Sequence, residues 1–180
     1  MRRWGRTVVA LVVSVGLSTS LAGCVGPLAT QDVQVAAPAV DPECLVGNWK
    51  QTEGWNRLRF EDGTQTVLLM ISGGATFTVD PEGTGKISYA AETVWHGEDG
   101  ATGQEIKVAY VGTGTVTFSA VDGDYRQVSD FTKRTQTITI GTTSQTTPGT
   151  AGVIFEGTYR CDRTDLVISN EDTRAVYTRA

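Results

Sequence analysis

From Cys44 to the C-terminus, apolar and polar residues alternate with a period of two in short runs. That period places successive side chains on opposite faces of a strand. Cys44 to Glu53 reads as a first strand, and Thr64 to Ser72 as a second, mostly apolar one containing Val67-Leu68-Leu69-Met70-Ile71. Ala75, Phe77 and Val79 alternate with Thr76, Thr78 and Asp80, and Pro81-Glu82-Gly83 turns the chain. Lys86 to Trp95 is one strand or two. Ile106, Val108 and Tyr110 alternate with Lys107 and Ala109, and Gly112-Thr113-Gly114 reads as a turn into Thr115 to Val121. Asp122-Gly123-Asp124 is a hairpin signal leading to Tyr125 to Phe131. Thr135, Thr137 and Thr139 alternate with Ile138 and Ile140, Thr142 to Gly152 reads as a polar loop, and Val153–Cys161, Leu166–Ser169 and Thr173–Arg179 close the chain. About eight to ten short strands at hairpin spacing predict an all-β antiparallel sandwich or barrel. One helical turn between Trp55 and Phe60 is compatible with the pattern.

The first 23 residues follow another pattern. Arg2, Arg3 and Arg6 precede the apolar run Thr7 to Leu21, and small residues Ala22 and Gly23 end it. A basic start, a short apolar stretch and a small-residue end make a secretory signal. The run is shorter than the roughly 20 apolar residues of a membrane-spanning helix. Leu21-Ala22-Gly23-Cys24 resembles the bacterial lipobox at all four positions. The resemblance implies lipid on Cys24 through a thioether, cleavage before Cys24, and further acylation of the new N-terminus. Two or more acyl chains hold a protein stably on a membrane where one is marginal. The expected location is the extracytoplasmic face of a bacterial cell membrane, or an outer membrane where the envelope has one. Residues 24–43, rich in Ala, Val and Pro with few charges, read as a flexible tether spanning at most roughly 60 Å.

Charge narrows the partners. The signal holds three of the 15 basic residues and none of the 20 acids, so the chain from Cys24 carries 12 − 20 = −8. An acidic surface argues against nucleic acid, which is bound through Lys and Arg clusters. The membrane link is therefore the lipid. Cysteine arithmetic adds a cross-link: with Cys24 lipidated, Cys44 and Cys161 remain as a pair in an oxidising compartment and are expected to form a disulfide. Such a bridge spans 161 − 44 = 117 residues and requires the first strand and a late one to meet. A barrel whose ends close, or a sandwich with adjacent terminal strands, satisfies it.

Gly47-Asn48-Trp49 resembles the Gly-x-Trp of the lipocalin and wider calycin families, and Cys44-Leu45-Val46-Gly47-Asn48-Trp49 resembles the domain start of small bacterial lipocalin-like lipoproteins. Thr158-Tyr159-Arg160-Cys161 and Tyr177-Thr178-Arg179 match their closing segments. No second strong lipocalin motif and no C-terminal helix accompany these. The resemblance implies a single antiparallel up-and-down barrel over residues 44–180. It also implies a late arginine, Arg179 or Arg174, packed over Trp49 as a structural contact.

Candidate chemistry is sparse. His96 is the sole histidine, and beside Glu98 and Asp99 it reads as a strand end and turn rather than a metal or acid–base site. The acidic glycine turns lack the spaced ligands of a calcium loop. No serine stands in a nucleophile-elbow setting, so neither enzyme nor cofactor is expected. The interior remains: Phe77, Tyr110, Phe118, Ile138, Ile140 and Phe155 are the expected inward residues. The leading expectation is that they line a cavity for a small apolar or lipidic ligand on the outer side of the membrane, and the alternative is that they fill a solid core. The alternative leaves a structural or protein-interaction module that contacts an envelope partner through its exterior or the Thr142–Gly152 loop.

Overall fold

A computed structural model describes residues 44–60 and 62–180. The expected signal at 1–23, the expected tether at 24–43 and the expected lipidation site Cys24 lie outside the described residues. Among the described residues the fold has eleven strands: β1 (Gly47–Arg59), β2 (Gln65–Ser72), β3 (Thr76–Val79), β4 (Thr84–Glu98), β5 (Glu105–Val121), β6 (Asp124–Asp130), β7 (Arg134–Ile140), β8 (Thr143–Pro148), β9 (Ala151–Cys161), β10 (Asp165–Ser169) and β11 (Thr173–Arg179). All pairings are antiparallel.

Eight of these strands form a ring, β1-β3-β4-β5-β6-β9-β10-β11, which closes by pairing β11 with β1. The order is up-and-down except at two excursions, where β2 and the β7–β8 hairpin leave the ring. These strands build a second array, in which β2 lies between the second halves of β1 and β4, and β7 and β8 extend outward from the first half of β5. Strands β1, β4 and β5 are long because each serves both arrays.

Each shared strand is irregular where it crosses. On β1 the register shifts between Gln51 and Glu53, and on β4 between Tyr89 and Thr93. On β5 the crossing is Gly112, at φ 114°, where an added Cβ would come within 2.2 Å of the Lys133 carbonyl oxygen. Gly112-Thr113-Gly114 is therefore not a turn. A side chain cannot fit against that carbonyl, and glycine lets one 17-residue strand bend from one array into the other.

Two more expectations change. Trp55 to Phe60 holds no helical turn, because β1 continues to Arg59 and pairs with β2 and β11. Thr142 to Gly152 is not all loop, because β8 occupies Thr143–Pro148. Its Thr-Ser-Gln-Thr-Thr-Pro run has no apolar alternation to betray a strand, yet β-branched threonines suit one.

Two apolar clusters follow from the two arrays. The ring encloses Leu45, Trp49, Phe77, Phe118, Tyr125, Leu166 and Tyr177 with smaller residues between them. The second array gathers Leu68, Trp95, Ile106 and Val108, flanked by Leu58, Met70, Ile138 and Ile140.

Candidate functional site

The segment from Cys44 into β1 meets the end of β11 at one end of the ring. The Trp49 indole is fully buried and donates to the Leu45 carbonyl at 2.8 Å. The Arg179 guanidinium lies over its ring, 4.4 Å from the centroid. Arg179 also donates to the carbonyls of Cys44 (2.8 Å), Val46 (3.1 Å) and Arg163 (3.0 Å). Gly47, at φ 137°, leaves room for that guanidinium, since a Cβ there would approach Nη1 to 2.5 Å. Arg174 instead faces Trp55 across the β1–β11 pair. Cys44 and Cys161 are disulfide-bonded beside this cluster. Gly47, Trp49, Arg179 and the disulfide thus form one structural knot, and Trp49 has no open face to offer a ligand.

The six expected inward residues separate. Phe77 and Phe118 are buried inside the ring with their ring centroids 6.1 Å apart, and Phe155 packs against the same cluster. Tyr177 lies 6.0 Å from Phe77, Tyr125 lies 6.0 Å from Phe118, and Phe155 closes on Tyr125. Such offset and edge-on spacings are those of packed aromatic neighbours. Tyr110, Ile138 and Ile140 belong to the second cluster.

Between the clusters lies a polar waist. The Arg134 guanidinium stacks at 3.8 Å over Phe131 and 4.6 Å over Tyr110, with Tyr89 at 5.7 Å. Burial pushes the Tyr110 hydroxyl up to about 12 and raises Tyr89 as well, with the nearby Arg134 charge pulling each back. Burial also raises Tyr125 and Tyr177. Gln51 and Thr93 are buried at the crossing points of β1 and β4. The buried side-chain atoms without a hydrogen-bond partner among the described residues are Thr93 Oγ1, Trp95 Nε1 and Arg134 Nε. These waist residues carry no motif, so nothing in the sequence singled them out.

His96 Nε2 faces Glu105 at 3.2 Å, on the rim of a shallow cleft of about 220 Å³ lined with Gly97, Glu98 and Gly103. Asp99 is buried in its own turn, where it accepts from the Ala101 amide (2.9 Å) and the Thr102 hydroxyl (2.7 Å). No group of three or more metal-ligating side chains gathers among the described residues. A second cleft, of about 300 Å³, lies on the outside around Tyr125, Arg126 and Glu156, the last two ion-paired at 3.1 Å.

The outer face of the second array is different. Val67, Leu69 and Ile71 of β2 are 46%, 56% and 61% exposed. Leu69 stands between Trp55 on β1 and His96 on β4, and Val67 lies opposite Arg57. Sequence alternation could not flag this stripe, because β2 is apolar on both faces. No family model matches this chain, and no curated protein or solved structure shows significant similarity to it.

Proposed function

We propose that this protein is a non-enzymatic interaction module of the bacterial cell envelope, anchored through lipid on Cys24 to the extracytoplasmic face of the membrane. The eight-strand ring, with Gly47 and Arg179 around a buried Trp49, supports reading residues 44–180 as a lipocalin-like barrel with a filled interior. The observation that carries the interaction reading is the β2 stripe, where three large aliphatic side chains face solvent in a row. Exposed apolar side chains next to one another mark contact surfaces more than isolated ones do. Here an apolar centre with Trp55 beside it is bordered by Arg57 and His96, which is the make-up of a protein-binding patch.

A photo-crosslinking residue placed at Leu69 in intact cells should yield a discrete heavier adduct, and one at Arg160 should not. The Val67→Asp/Leu69→Asp variant should fold, because both side chains point outward, and should lose the partner. No adduct, together with one equivalent of lipid on the purified protein by native mass spectrometry, would replace this reading with an apolar-ligand carrier.

A further inference from the structure

Strand β8 is the free edge of the second array: it pairs with β7, and no other strand pairs with it among the described residues. All six residues, Thr143 to Pro148, are exposed. The Gly149 amide donates to the Arg134 carbonyl of β7 at 2.7 Å, and Gly141 donates to Glu105 of β5 at 2.9 Å. Backbone direction alternates along a strand, so the odd-numbered residues of β8 bond to β7. Ser144, Thr146 and Pro148 direct their backbone groups outward.

Natural sheets blunt such edges with lysine, other charges, bulges or proline. This one carries only Pro148. From Thr135 to Phe155 no residue is charged, although the chain from Cys24 carries −8. Two copies therefore meet least repulsion here. The outward groups are also self-complementary. With a two-fold axis at Gln145, Ser144 of each copy pairs with Thr146 of the other and exchanges both backbone bonds, and Gln145 faces its own copy. Centring on Thr146 instead would set Ser144 against Pro148, which has no N–H to give.

We propose that β8 pairs antiparallel with β8 of a second copy about Gln145, joining two second arrays into one continuous sheet. This surface is separate from the β2 stripe. An edge contact over six residues is smaller than the roughly 1,000 Å² of a stable interface. The dimer is therefore weak, and covalent trapping is the suitable test.

Gln145→Cys, introduced into the full-length protein in its membrane, should give a disulfide-linked dimer under mild oxidation, while the wild type gives none. Opposed residues in a pair that exchanges no backbone bonds lie about 4.5 Å apart at Cα, which a disulfide can bridge. Thr143→Cys alone should stay monomeric, because the two copies of residue 143 would be about 13 Å apart along the strands. Mixed with Thr147→Cys, it should cross-link. Adding Thr146→Pro to Gln145→Cys removes an outward N–H and should abolish the dimer. A monomeric Gln145→Cys protein, dimers indifferent to Thr146→Pro, equal cross-linking at Thr143 alone, or a cross-link to a different protein would each overturn the proposal.

Discussion

At the scale of the residue, Arg179 does the most with one side chain. Its guanidinium covers Trp49 and closes three carbonyls from two distant parts of the chain. Arg179→Ala should lower stability by about 1–2 kcal/mol in urea unfolding, from the lost cation–π contact and charged hydrogen bonds. Arg179→Lys should recover only part of it, because an ammonium cannot span the same carbonyls in a fixed plane. The buried tyrosines set an alkaline limit. Their ordinary pKa is 10.0, and burial holds Tyr110 up at about 12, with Tyr125 and Tyr177 also raised. The unfolded chain then releases these protons first, so stability is intact below about pH 10 and falls as pH rises toward 12. Tyrosinate absorbance and circular dichroism followed together should show ionisation arriving with unfolding.

At the scale of the element, cross-links and crossings matter more than strand propensity. The Cys44–Cys161 bridge ties the segment before β1 to the end of β9 across 117 residues. The loop-entropy model gives it about 4–5 kcal/mol, less any native strain. Cys44→Ser/Cys161→Ser should therefore shift the urea midpoint down sharply and steepen the slope, because the unfolded chain freed of the bridge exposes more surface. Arg179 still holds the Cys44 carbonyl in that variant, so the ring should close and the fold survive. Period-two alternation marked most strands, but it misread the shared ones. Gly112 looked like a turn because glycine marks turns and tight backbone approaches alike, and only the Lys133 carbonyl distinguishes them. Strand β8 was hidden because both of its faces are polar and exposed.

At the scale of the whole molecule, the two clusters are expected to make separate contributions. Phe118 lies inside the ring and Ile106 in the second array, both fully buried. Phe118→Ala should cost about 3–5 kcal/mol and Ile106→Ala about 2–5 kcal/mol. The distinction is expected in native-state hydrogen exchange. Ile106→Ala should speed exchange chiefly in β2, β7 and β8, whereas Phe118→Ala should loosen the ring. Uniform acceleration across all strands in both variants would mean that the polar waist couples the clusters into one unit.

The sequence alone determined the all-β antiparallel class, the acidic balance and the cysteine pair that the structure joins, because period-two alternation, charge and cysteine count are properties of the chain itself. The resemblance at Gly47-Asn48-Trp49, rather than any pattern in the chain, narrowed the arginine above Trp49 to Arg179 or Arg174. Tertiary structure chose between them, since β11 pairs Trp49 with Arg179 and Trp55 with Arg174. It also decided that Phe77 and Phe118 share one cluster while Tyr110, Ile138 and Ile140 join another. Alternation says which side chains share a face of a strand. It does not say which array that face closes on, because a single strand can bend at one glycine and serve two.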